Sequence, residues 1–197
     1  MCDEHTVDET NEHLNGISRR QFNTLAASAA VATLLPQKAY ANNVNAKRVD
    51  VPTPDGVCDA FFVHPTGGEA PAVLMWPDIL ALRPAFETMA TRLAQSGYAV
   101  LCVNPYYRDA KAPVVEVGES FQDQSTRTKV MPMYRNLSAA THTTDAQALV
   151  AWLDAQPEVD TARKIGTMGY CMGGPIIMRT AAAVPDRIGA ACSYHGG

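Results

Sequence analysis

The tightest constraint on this chain lies between residues 164 and 184. Lys164-Ile165-Gly166-Thr167-Met168 reads as a buried strand, and Pro175 to Val184 has the apolar spacing of a helix stopped by Pro185. Between them stands Gly169-Tyr170-Cys171-Met172-Gly173-Gly174. A strand that turns at once into a helix through G-x-C-x-G-G needs small residues on both sides of the central side chain, and that side chain is lifted clear of the sheet. Such a turn belongs to a layered α/β sheet and not to a helical bundle or a sandwich.

The rest of the chain fits that architecture. Arg48 to Val51 and Val57 to Val63 are extended runs around Asp55-Gly56, which predicts a hairpin. Thr66-Gly67-Gly68-Glu69 is a further turn. Ala72 to Trp76 and Tyr98 to Val103 are continuous apolar runs, as in strands buried on both faces. Pro84 to Ser96 has helical spacing, with Pro84 at its start and Gly97 at its C-cap. Residues 104–137 read as a long loop with short helical pieces. Ala139 to Ala155 is a helix with Ala146, Leu149, Val150 and Leu153 on one face, and Ile188 to Ser193 is a short strand. Strands alternating with helices predict a mostly parallel sheet with helices on both faces and an N-terminal β-hairpin.

The N-terminus reads as an address. Acidic residues 3–12 precede Ser18-Arg19-Arg20-Gln21-Phe22, then an alanine-rich apolar stretch from Thr24 to Leu35 closed by Pro36. The stretch is too short to span a bilayer but suits a signal-peptide core, and Ala39 and Ala41 form an A-x-A site. The arginine pair before a mild core resembles a twin-arginine export signal. The expectation is a leader over 1–41, a domain over 42–197 without a membrane span, and the twin-arginine export machinery as a partner delivering an exported, periplasmic or secreted protein. The formal charge of −4 with scattered Lys and Arg makes nucleic acid an unsuited partner. Five cysteines without a CxxC pair imply neither a zinc site nor a disulfide framework. Cys58, Cys102 and Cys192 read as small apolar fillers of strands, His64 as a surface residue, and His142 as lying on the exposed side of its helix.

Three separated segments carry a resemblance to the dienelactone hydrolases, α/β-hydrolases with a cysteine nucleophile. They are Met75-Trp76-Pro77-Asp78-Ile79, Asn104-Pro105-Tyr106-Tyr107-Arg108, and Gly166 to Gly174; Ser193-Tyr194-His195-Gly196-Gly197 is similar to the family's strand after the nucleophile helix. The resemblance implies an α/β-hydrolase fold acting on a small-molecule ester or lactone, carboxymethylenebutenolide-like. It implies Cys171 as nucleophile, the N–H groups of Met172 and Ile79 as oxyanion donors, and Gly169 and Gly173 as elbow glycines. Asp78 stands where a family glutamate contacts the thiol, and Arg108 matches an arginine that holds the substrate carboxylate. No metal and no organic cofactor is implied.

In this fold the acid and base follow the nucleophile in the order Asp, then His. After Cys171 the chain carries Asp186 and His195, neither at the expected topological place. The expectation is therefore a C-terminally truncated domain, lacking later strands and helices and inactive as it stands. The competing readings are a short variant using His195 as base, and a non-catalytic binding protein on the same fold.

Overall fold

A computed structural model describes residues 43–196; the leader expected over 1–41 lies outside the described residues. The chain forms strands β1 (Val44–Thr53), β2 (Gly56–Pro65) and β3 (Ala72–Trp76), helix α1 (Pro84–Gln95), and strand β4 (Ala99–Val103). There follow α2 (Gln124–Asn136), α3 (Ala139–Asp154), β5 (Ile165–Tyr170), α4 (Gly173–Ala183) and β6 (Ile188–Tyr194). The six strands make one sheet in the order β1-β2-β4-β3-β5-β6. β1 and β2 pair antiparallel, as do β2 and β4, and the other neighbours run parallel. This is the mostly parallel sheet with an N-terminal hairpin that the strand–helix alternation predicts.

Alternation along each strand assigns the two faces. Leu74 and Trp76 of β3 join Leu101 and Val103 of β4, and Leu149, Leu153, Ile176 and Ile177 of α3 and α4 cover them. Val73 and Met75 point the other way with Val100 and Cys102, under Phe86, Ala90 and Ala94 of α1. Burial on both faces explains why β3 and β4 read as unbroken apolar runs. Pro84 opens α1, and Gly97 follows it at φ +101°, a left-handed conformation that stops the helix. Ser138 and Thr141 form a reciprocal capping box at the start of α3.

Helix α2 departs from the sequence reading, which gave only short helical pieces there. Pro132 sits inside it, a residue that ordinarily breaks a helix. Tertiary packing overrides that penalty. Thr126, Val130 and Met133 fall at i, i+4 and i+7, all three are buried, and the latter two join Tyr106, Val114 and Val115 in a third apolar cluster.

Three side chains sit otherwise than expected. His64 is buried at 6% exposure, with Nδ1 against the carbonyl of Pro65. His142 is buried at 5% exposure because α3 is covered on that side too. Its position four residues before Ala146 puts it on the helix's own buried stripe. Cys192 is exposed, since β6 is the edge strand and its residues beyond Ile188 face solvent.

Candidate active site

Strand β5 ends at Tyr170 and α4 begins at Gly173, so the chain must reverse direction over Cys171 and Met172. Cys171 carries the strain, with φ +52°, the left-handed region that a non-glycine residue adopts at a cost of about 1–2 kcal/mol. Two hydrogen bonds fix it there. Its N–H donates to the Tyr194 carbonyl at 3.0 Å, and the Gly174 N–H donates to the Cys171 carbonyl at 3.0 Å. The flanking glycines have steric reasons. A Cβ on Gly169 would meet the Gly173 carbonyl oxygen and lie 2.8 Å from Ile177 Cγ2. A Cβ on Gly173 would lie 2.8 Å from the Trp76 carbonyl oxygen, backbone that has nowhere to go.

The loop after β3 faces this turn. The Asp78 carboxylate accepts the Leu80 N–H at 2.9 Å and is held by Arg83, whose Nη1 and Nη2 donate at 2.6 and 2.8 Å. Asp78 therefore braces its own loop, and no hydrogen bond joins it to Cys171 among the described residues. Tyr106 ties the loop to the elbow. It is fully buried, and its hydroxyl donates to the Ile79 carbonyl at 3.0 Å and approaches Met172 Sδ at 3.3 Å. Burial, then the nearby Asp78 charge, raises its hydroxyl pKa well above the ordinary value, so Tyr106 stays a donor. The sequence reading used Tyr106 only as part of a motif; a large aromatic directly after a buried strand was the signal available. The N–H groups of Ile79 and Met172 donate to no protein acceptor among the described residues.

Cys171, Met172 and Ile79 border one cavity of about 650 Å³, roofed by α2 and by the start of α3. Its other lining residues include Phe121, Met131, Arg135, Leu137, His142, Ile176 and Arg179. Arg108 is not among them. Its guanidinium donates to the buried Asp145 at 2.9 and 2.6 Å and to Asp55 at 3.1 and 2.6 Å, and it lies over the Tyr107 ring. Arg108 thus meets two protein carboxylates, one on the hairpin turn and one on α3. Arg135, His142 and Arg179 are among the cavity residues that sequence reasoning missed.

His142 Nδ1 lies 2.7 Å from Arg179 Nη1. Burial, with the positive charges of Arg179 and Arg108, lowers its pKa from the ordinary 6.5 to about 4. Among the described residues no imidazole or carboxylate is hydrogen-bonded to the Cys171 sulfur; His195 and Asp186 are both exposed. Burial raises the pKa of the Cys58 and Cys102 thiols far above the ordinary value, which makes them inert, whereas Cys171 is half-buried. No group of three or more His, Cys, Asp or Glu among the described residues is placed to hold a metal.

A mostly parallel sheet with helices on both faces, and a strained residue at the turn from an inner strand into a helix, defines the α/β-hydrolase fold. Comparison with known proteins narrows this. The chain belongs to the dienelactone hydrolase family, whose sequence model matches residues 58–197. It is 28% identical over 118 residues to the carboxymethylenebutenolidase of Pseudomonas sp. strain P51, covering 60% of this chain and 47% of that protein. It is 25% identical over 138 residues to the carboxymethylenebutenolidase of Pseudomonas putida, covering 70% and 55%. The chain thus spans about half the length of these relatives. Among solved structures, the dienelactone hydrolase-like promiscuous phosphotriesterase P91 from metagenomic libraries superposes with a TM-score of 0.62 at 28% identity, over 78% of this chain and 60% of that one. The dienelactone hydrolase of Anabaena variabilis, at 18% identity and a TM-score of 0.57, shares the fold; 78% of this chain and 64% of that one are covered.

Proposed function

We propose that the protein is a carboxylic ester hydrolase that opens a small ester or lactone through Cys171. The observation that carries this reading is the strained Cys171, bordering a cavity with Met172 and Ile79, whose N–H groups have no protein acceptor. The named relatives are carboxymethylenebutenolidases, which supports a lactone of that class.

In this mechanism the Cys171 sulfur attacks the carbonyl carbon, and the carbonyl oxygen gathers negative charge between the Met172 and Ile79 N–H groups. The carbon–oxygen single bond breaks, the thiol proton ends on the leaving oxygen, and a thioester remains. Water then cleaves the thioester, giving the carboxylic acid and the free thiol. Strain at position 171 and the Tyr106 bridge keep sulfur and oxyanion donors in fixed relation before substrate arrives. Residues 1–41 direct export through the twin-arginine route.

The test uses the full-length protein in a Cys192→Ser background, because Cys192 is exposed. Iodoacetamide should label Cys171 ahead of Cys58 and Cys102, and Cys171→Ala should abolish ester turnover with unfolding still cooperative. Full activity in Cys171→Ala refutes the nucleophile. A binding protein on this fold would label at Cys171 and turn nothing over. Replacing Arg19 and Arg20 by Lys should leave precursor in the cytoplasm on fractionation; unchanged processing refutes the export route.

A further inference from the structure

Tyr106 bridges the two oxyanion donors, and its own placement is set from behind the site. Asn104 follows β4, is fully buried, and directs its side chain to three partners. Its Nδ2 donates to Asp59 Oδ1 at 2.9 Å and to the Ala110 carbonyl at 2.8 Å, and its Oδ1 accepts the Tyr106 N–H at 3.0 Å. These partners fix the amide's orientation, because a flip would set its oxygen against two acceptors and its nitrogen against a donor. The Tyr106 carbonyl in turn accepts the Asp109 and Ala110 N–H groups at 2.8 and 2.9 Å. Residues 104–110 are therefore wound around the Asn104 amide, with Tyr106 held at both its N–H and its C=O.

Asp59 of β2 supplies a second, independent sign. It is buried, its carboxylate accepts from the neutral donors Asn104 Nδ2 and the Ala112 N–H, the latter at 2.8 Å, and it joins no ion pair among the described residues. A buried carboxylate without a cation is costly, and a turn that merely ended β4 would not need one. Its charge polarises the Asn104 amide and makes Oδ1 a stronger acceptor for the Tyr106 N–H. Its other oxygen fixes Ala112, and Val114 and Val115 just beyond pack in one cluster with Tyr106, Ile79 and Met172. Two routes thus run from Asp59 to the same ring.

We infer that Asn104, held by Asp59, is a positioning residue for the Ile79 and Met172 N–H groups. It sets the Tyr106 ring, whose hydroxyl meets the Ile79 carbonyl and Met172 Sδ at 3.0 and 3.3 Å. Neither Asn104 nor Asp59 lines the cavity, so both act through Tyr106 and not on substrate. The inference rests on the hydrolase reading for what those N–H groups do. It extends the oxyanion site from the elbow and the loop after β3 to the end of β4 and to β2, an antiparallel strand outside the parallel part of the sheet.

Two reactions of Cys171 separate positioning from bulk structure in the full-length Cys192→Ser protein. p-Nitrophenyl acetate acylates the sulfur, p-nitrophenolate leaves, and the carbonyl oxygen takes charge on the way. Iodoacetamide alkylates the same sulfur by displacement of iodide from a CH2 carbon, and no oxyanion forms. Asn104→Ala should slow acylation roughly 10- to 100-fold, somewhat less than loss of an oxyanion donor itself, and leave alkylation as in the wild type. Asp59→Asn keeps an acceptor for Asn104 but removes the charge, and should slow acylation roughly 3- to 10-fold, as loss of one hydrogen bond does. Asn104→Asp sets two carboxylates face to face. Combining it with Asp59→Asn restores a donor between them and should recover most of the acylation rate that the single change loses. Arg187→Gln, which breaks a pair with Asp154 outside the cavity, should change neither rate. Amide exchange needs no turnover. The Ala81 and Gly174 N–H groups, bonded to the Asp78 and Cys171 carbonyls, should exchange roughly 10-fold faster in Asn104→Ala, while Ile165 at the far end of β5 exchanges as in the wild type. If Asn104→Ala does not unfold cooperatively, Asp59→Asn and the exchanged pair decide by the same two rates. Acylation unchanged, or acylation and alkylation slowed alike, overturns the positioning role and leaves the hydrolase standing. If the wild-type protein forms no acyl-thioester, the hydrolase reading fails, and exchange at Ala81 and Gly174 alone decides whether Asn104 sets the two N–H groups.

Discussion

Replacing Gly169 by Ala asks how tightly the elbow is packed. The added Cβ would stand 2.6 Å from the Gly173 carbonyl carbon and 2.8 Å from Ile177 Cγ2, where ordinary contact begins at 3.4 Å. The start of α4 must therefore retreat from β5 by at least about 0.8 Å, since the Gly173 carbonyl oxygen stands closer still. The obstacle is backbone, so no rotamer change relieves it. Overpacking of this kind costs about 1–3 kcal/mol, and the upper end fits a backbone clash. For a domain of this size each kcal/mol lowers Tm by roughly 2–4 °C, so a fall of about 6–12 °C is expected. The same shift carries Cys171 and Met172 with it, and a misplacement near 1 Å can cost on the order of 100-fold in rate. Gly67→Ala is the control. A Cβ there meets nothing within 4 Å, and Gly67 has no left-handed φ to lose. It should leave Tm unchanged or slightly raised by reduced chain entropy. Differential scanning calorimetry with Cys171 alkylation rates reads both effects. Equal Tm for Gly169→Ala and Gly67→Ala would falsify the argument that contact between β5 and α4 sets the elbow.

Three other perturbations address the surrounding network. Tyr106→Phe keeps the buried ring but removes the hydroxyl between Ile79 and Met172; stability should fall by about 1 kcal/mol and ester kcat should fall with KM little moved, measured by steady-state kinetics. Arg108→Ala leaves Asp145 buried with only Tyr107 as partner and should destabilise by roughly 2–4 kcal/mol in urea unfolding, whereas a surface pair would give less than about 1. His142 has a native pKa of about 4 against an ordinary 6.5, so between those values the unfolded chain binds a proton that the native one refuses. Stability should therefore rise with pH from 4 to 6.5 and lose this dependence above; the His142 share is roughly 1–3 kcal/mol, and His142→Gln should flatten that part of the urea-unfolding profile.

The parts of this molecule that could be read from its sequence are those fixed by short-range sterics. β3 and β4 are unbroken apolar runs because each contributes to both cores, and Pro84 and Gly97 delimit α1 through backbone geometry alone. The elbow belongs with them, since Gly169, Cys171 and Gly173 are constrained by neighbours within a few residues and by the adjoining strand. Helix α2 was obscured by Pro132, although Thr126, Val130 and Met133 already held the right spacing. His142 was legible in principle, four residues before Ala146 on a recognised stripe; its polarity argued for the surface against its phase.

Arg108 and Arg179 show where such reading stops. Arg108 has a motif position that suggests a charge for substrate, and Arg179 has none. Yet Asp145, 37 residues away in sequence, and Asp55, 53 away, converge on Arg108, while the carboxylate-free cavity contains Arg179. A guanidinium's availability to a ligand is set by the carboxylates that tertiary structure brings to it, because a pair already formed offers little residual field. A motif assigns such a residue a place next to the site. Its partners come from elsewhere in the chain, and here the hairpin turn and α3 supply them, so that Arg108 ties the two together.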